Sequence, residues 1–150
     1  QADDYNDAMV AGWFSANNTL SWQRDVSDRN IEGHYYVFEA LGDQFTVQAA
    51  SFSIGSGLTD GTASLTSVAT NKTFLIASYR SSCSASYDYP YYVHTEVYLE
   101  SPTLIRARRY NTGYTISDIR VFAVTFNDGG SVQRGGWSYG TSDAYKEATL

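Results

Sequence analysis

Two histidines, His34 and His94, are the only imidazoles in the chain, and acid–base or nucleophilic chemistry at neutral pH would draw on them first. A Ser-His-Asp site also needs a presented nucleophile, and no Gly-x-Ser-x-Gly elbow occurs. A carboxylate pair for glycoside hydrolysis would have to come from the aspartates or from Glu32, Glu39, Glu96, Glu100 and Glu147, and their spacing marks no pair. Asp3-Asp4 with Asp7, and Asp25 with Asp28, offer oxygen ligands to a hard cation but lack calcium-loop spacing, so they read as solvated loop charge. Gly55-Ser56-Gly57 lacks the spacing of a phosphate loop and leads into strand residues; it reads as a turn. Cys83 has no second cysteine for a disulfide or a sulfur-ligated metal. The sequons at Asn17 and Asn71 matter only in a host that glycosylates them. The chain is therefore read as no enzyme, with no catalytic residues, no cofactor and no metal.

Charge narrows the partners. The net charge is −6, and the 10 basic residues are scattered except in Arg106-Ala107-Arg108-Arg109. Nucleic acid is not expected as a partner, because phosphate binding depends on clustered positive charge. Nor is membrane insertion, because no run approaches the roughly 18 apolar residues that a span requires. The chain opens on Gln1-Ala2-Asp3-Asp4 without an initiator methionine, as a processed segment would. An extracellular or virion location is the expectation.

The unusual chemistry is aromatic: 13 tyrosines, 7 phenylalanines and 3 tryptophans. Tyr87-Asp-Tyr-Pro-Tyr-Tyr92 is the densest cluster. Tyrosine offers rigid amphipathic contact area at low entropic cost, which suits a subunit interface or stacking against a sugar, with half-buried β packing as the competing reading. The candidate interface residues are Trp137, Tyr139, Tyr145, Tyr87, Tyr89, Tyr91, Tyr92, Trp13 and Trp22.

The elements that must position these residues read as strands. Apolar and polar side chains alternate in short bursts at Phe45–Ile54, Thr62–Ala69, Thr73–Arg80, Tyr91–Leu99, Thr103–Arg109 and Ile119–Phe126, a period of two. In the fourth burst Val93, Thr95, Val97 and Leu99 share the core face, and Tyr92, His94, Glu96 and Tyr98 the other. Gly, Asn, Asp and Pro punctuate the bursts at Gly55-Ser-Gly57, Asp60-Gly61, Ser101-Pro102, Asn111-Thr-Gly113 and Asn127-Asp-Gly-Gly130. Strands at this spacing predict an all-β fold, an antiparallel β-sandwich of about six strands with no substantial helix.

The chain also resembles itself at an offset of 84 to 85 residues. Tyr36-Val37-Phe38 through Val47-Gln48 matches Arg120-Val121-Phe122 through Val132-Gln133. Phe14 aligns with Tyr98, Thr19-Leu20 with Thr103-Leu104, Arg24 with Arg108, and further on Phe52 with Trp137 and Gly55 with Gly140. A tandem repeat of about 84 residues then places the C-terminal part of one unit in 1–48, a complete sandwich in 49–133, and the first strand of a further unit in 134–150. Broken units expose strand edges, which invite pairing with another chain. Out-of-phase ends have two origins: exchange of the last segment between copies, head to tail, or excision from a longer repeat protein.

Lys72-Thr-Phe-Leu-Ile-Ala-Ser-Tyr-Arg80, Val93–Leu99, Pro102-Thr-Leu104, Arg108, Arg120-Val-Phe-Ala-Val-Thr-Phe126 and Ser131-Val-Gln-Arg134 together resemble tandem β-sandwich repeats of tailed-phage and prophage virion structural proteins, with Phe122 or Ala123 where those repeats carry Trp. That resemblance implies a structural appendage, decoration or fibre module. A second similarity, in the Ile119–Phe126 strand, is to H-type lectin sandwiches, which are six-stranded and bind carbohydrate; no sugar-site motif carries residues across. The expected partners are copies of the same chain, as a head-to-tail or symmetric homo-oligomer, with surface glycans as the second class. The leading expectation is a non-enzymatic structural subunit of an extracellular filament or phage virion appendage, and the alternative is a lectin-like module. If the terminal segment is exchanged, deleting residues 134–150 will abolish high-mass species in light scattering; a chain that is monomeric and equally stable with and without that segment would contradict the exchange.

Overall fold

The computed structural model describes residues 9–25, 30, 32–39, 42–82, 90–136 and 147. Among them are eight strands, β1 (Ala11–Ala16), β2 (Thr19–Gln23), β3 (Phe45–Ile54), β4 (Asp60–Ser64), β5 (Thr73–Ser81), β6 (Thr95–Ser101), β7 (Leu104–Arg109) and β8 (Ile116–Phe126), and a single helical turn, α1 (Pro90–Val93). All strand pairs are antiparallel: a β1–β2 hairpin, a sheet in the order β3-β8-β5, and a sheet in the order β4-β7-β6. The two three-stranded sheets face each other. Ile54, Ile116, Ile119 and Val121 of the first share one core with Leu99, Ile105 and Ala107 of the second. The fold is all-β and sandwich-like, as the alternation predicts.

Three of the expected strands shift, each for a physical reason, and one hairpin is added. The fourth burst does not start at Tyr91. Pro90 opens a helical turn, where its fixed φ and missing N–H are tolerated, and the strand begins at Thr95. The second burst is strand only at 60–64. Beyond it Leu65 and Val68 turn inward while their N–H groups donate to Thr103 O (2.8 Å) and Pro102 O (2.9 Å). The last strand starts three residues early, at Ile116. Ile116 pairs with Ile54 and Ile119 with Phe52, so β8 carries one extra residue between them. That bulge lets two isoleucines three positions apart both bury completely, and it bends the strand locally. The fourth departure is the β1–β2 hairpin, which strand alternation does not single out.

Tyr36, Val37 and Phe38, which the self-similarity aligns with three residues of β8, form no strand, and Tyr36 and Phe38 are 84% and 81% exposed. At the other end the chain runs as irregular structure from 130 to 136, held where Val132 N donates to Asn71 O (2.7 Å) and Arg134 Nη1 to Leu99 O (3.2 Å).

Strand period also decides the fate of the basic run. Arg106 and Arg108 point outward on β7, where Arg106 pairs with Asp60 (3.0 Å) and Glu100 (2.8 Å) and Arg108 with Asp60 (3.2 Å). The Thr59 hydroxyl and these two guanidiniums hold the Asp60 carboxyl below its ordinary range. Arg109 points inward and is 3% exposed. Its guanidinium donates to the carbonyls of Leu58 (Nε 3.0 Å, Nη2 2.7 Å), Gly55 (2.8 Å), Ser56 (3.3 Å), Tyr92 (3.2 Å) and Tyr114. Burial lowers its pKa from the usual guanidinium value, yet arginine stays charged in proteins. Arg109→Met should destabilise by about 3 kcal/mol or more in urea unfolding, because hydrogen bonds to a charged group contribute about 1.5–3 kcal/mol each and all five carbonyls lose the guanidinium, although those of Gly55 and Ser56 keep the N–H groups of Leu58 and Gly113. Arg109→Lys should not restore it, since an ammonium lacks the planar fork. Wild-type stability in either variant would contradict this role.

Candidate functional surface

The register of β8 against β3 and β5 puts Thr125, Ala123, Val121 and Ile119 on the core side, and Val124, Phe122, Arg120 and Asp118 on the outer side. The outer side is unusually apolar. Phe45 and Val47 of β3 and Phe74 and Ile76 of β5 flank β8 there, and Val47 and Ile76 remain 47% and 48% exposed. Such a sheet has apolar residues on both faces, the pattern of a sheet covered on both sides.

The β1–β2 hairpin provides part of that cover. Gly12 N donates to Ser78 Oγ on β5 (3.0 Å), the Phe14 and Phe122 rings meet edge to face at 6.1 Å, and the Arg120 guanidinium lies 4.5 Å from the Trp13 ring centroid. A polar clamp closes one end. The Asp25 carboxylate pairs with Arg80 and accepts from Ser117 Oγ, while Asp118 binds Arg120 (2.8 Å). The β8 bulge supplies this geometry, placing Ser117 beside Asp25.

Next to the docked hairpin lies an open cleft of about 920 Å³. Trp22 stands directly opposite Gly12 in the hairpin, and a Cβ on Gly12 would sit 3.2 Å from the indole; glycine lets the ring lie over the neighbouring strand. Tyr35 joins Trp22 with ring centroids 5.3 Å apart at 51°. Gln23, Asn30, Glu32 and His34 complete the rim.

The expected interface residues fall in different places. Trp13 and Trp22 share the hairpin, on β1 and β2. Tyr92 belongs to the opposite part of the fold: it packs against the core and meets Tyr114 edge to face at 5.9 Å. Trp137, Tyr139, Tyr145, Tyr87 and Tyr89, and the side chain of Tyr91, lie outside the described residues. Strand patterning misses Tyr35 because its segment has no regular period; its signal is the run Tyr35-Tyr36-Val37-Phe38, four apolar residues with no charge between them. Among the described residues no group of three His, Cys, Asp or Glu side chains is placed to hold a metal, and no helix is long and apolar enough to cross a membrane.

Compared with known proteins, the chain matches no family model, no curated protein and no solved structure.

The clamp should govern how the hairpin docks. Among the described residues, Asp25→Ala leaves Arg80 with Asp118 at 3.9 Å and is expected to cost on the order of 1 kcal/mol, because the pair is only partly buried. Proteolytic cleavage within residues 9–25 should accelerate while the sandwich strands stay protected. Unchanged proteolysis would show that the hairpin docks without the clamp.

Proposed function

We propose that this protein is a non-catalytic structural subunit of an extracellular filament or virion appendage, built by head-to-tail pairing between copies. The observation that carries this reading is the exposed Tyr35–Phe38 run: four consecutive large apolar residues in irregular chain, a feature that soluble surfaces avoid unless it is functional.

The repeat suggests what covers it. The β1–β2 and β6–β7 hairpins share one construction: each has a two-residue turn, Asn17-Asn18 and Pro102-Thr103, preceded by a one-residue bulge. The bulges, at Ser15 and Glu100, lie 85 positions apart, one more than the offset at which Phe14 and Thr19 align with Tyr98 and Thr103. Within the sandwich, β8 pairs with β3, with Ser51 opposite Arg120 and Ala50 opposite Val121. Shifted by the repeat, β8 corresponds to the exposed run and β3 to the C-terminal segment. Gly136 of one copy then stands opposite Tyr36 of the next, and Gly135 opposite Val37. Pairing of unlike segments leaves a donor at one end and an acceptor at the other, so it propagates from copy to copy and builds a filament when the rotation between copies does not close a ring.

Cysteine cross-linking tests the register. Directly opposed residues of an antiparallel pair have Cβ atoms about 4.5–5.5 Å apart, near disulfide reach. In a Cys83→Ser background, Gly136→Cys with Tyr36→Cys should give a ladder of covalent multimers on mild oxidation, and neither single substitution should extend beyond a dimer. A product that stays at monomer mass after complete oxidation would refute the proposal.

A further inference from the structure

The cleft beside the hairpin shares Tyr35 with the run proposed to pair, but most of its lining lies outside that run, and its chemistry points elsewhere. Its two aromatic rings are held in place yet left open: Trp22 is 52% exposed and Tyr35 62%. Trp22 is fixed by its strand position opposite Gly12, and Tyr35 by contact with the indole. Large aromatic side chains normally bury 150–250 Å² each, so rings fixed in this way and still exposed form a preorganised platform whose ordering is complete before a ligand arrives.

Around that platform the lining is polar and close to neutral. Among the described lining residues Arg24 and Glu32 are the formally charged ones, and they cancel. Gln23 and Asn30 each present an amide donor and an amide acceptor, and His34 an imidazole; the Ser78 hydroxyl is taken up by Gly12. Covering these groups with an apolar peptide would strip them of water without replacing their hydrogen bonds. An anionic polymer would meet a protein of net charge −6 and, among the described lining residues, no cation excess. A ligand suited to the site carries an apolar face for the rings, a dense set of hydroxyls for the rim, and no charge. Its volume of about 920 Å³ accommodates more than one sugar ring.

We infer that the cleft between β2 and residues 30–35 is a binding site for neutral saccharide, with Trp22 and Tyr35 as the stacking platform and Gln23, Asn30, Glu32 and His34 as its hydroxyl partners. The site belongs to the hairpin and the segment after it, with Ser78 of β5 at its floor; head-to-tail pairing would draw on Tyr35 as well, so binding is read on the unassembled chain.

The full chain should be tested on an array of neutral hexose and N-acetylhexosamine oligosaccharides, with sialylated and sulfated counterparts beside them, and hits followed by calorimetry. Retention on at least one neutral glycan is expected. Trp22→Ala and Tyr35→Ala should each weaken it by about tenfold or more, the loss seen when an aromatic anchor is truncated. Tyr110→Ala, an exposed tyrosine in the turn after β7, should leave it unchanged. Tyr35 lies in irregular chain, so its substitution tests the platform even if Trp22→Ala misfolds. The inference is overturned by failure to bind any neutral glycan, by preference for the anionic ones, or by binding that survives Tyr35→Ala.

Discussion

One buried cation organises an end of this molecule. Arg109 sits at the end of β7 with no carboxylate paired to it among the described residues, and its charge is solvated by main-chain carbonyls from three separate segments: the turn after β3, the helical turn α1 and the loop after β7. Each segment is irregular, and each would otherwise point carbonyl groups into a space from which water is excluded, at a cost of about 1–3 kcal/mol per unsatisfied group. A planar guanidinium with five donors answers several such groups at once. The sheets can therefore close over Ile54, Ile105 and Ile116 without those turns being strands themselves. Helical turn α1, placed by the same contact, is what moves the start of β6 away from Tyr91.

The opposite demand arises on the outer side of the β3-β8-β5 sheet. Its central strand is buried from both faces, so the sheet needs a third layer, and the β1–β2 hairpin supplies only part of it. The hairpin is held by mixed means: the Ser78 hydroxyl bonded to both Gly12 N and Gly12 O, an aromatic pair, a cation–π contact and the Asp25–Arg80–Ser117 clamp. None of these is a continuous strand ladder. Its attachment is correspondingly weaker than that of the strands beneath it, and the surfaces it frames, the cleft and the Tyr35–Phe38 run, are where recognition is proposed.

How much of this was legible in the sequence follows from which interactions are local. Strands β3, β5 and β7 lie within one residue of their expected bounds because one side of each faces a single core and imprints a period of two. Alternation could not reveal the bulge in β8, since Ile116 and Ile119 sit three apart, nor the inward crossing of Leu65 and Val68. The hairpin β1–β2 was hidden because its burial depends on the outside of another sheet, so no clean alternation marks it. Arg106, Arg108 and Arg109 look like one basic patch on paper; strand geometry neutralises two on the surface and buries the third. The cleft was the least legible feature, since Trp22 and Tyr35 are 13 positions apart in sequence and only the docked hairpin brings them together.

On the proposed reading, the exposed run is the acceptor for a neighbouring copy, and its main chain is irregular only because its partner strand belongs to another molecule. Amide exchange reports this directly, since an unpaired segment exchanges almost freely and a paired strand does not. Hydrogen–deuterium exchange of residues 33–39, followed as the chain concentration is raised, should show protection growing in that segment together with residues 134–136 while the sandwich strands remain unchanged. Rapid exchange of residues 33–39 at every concentration would contradict the account.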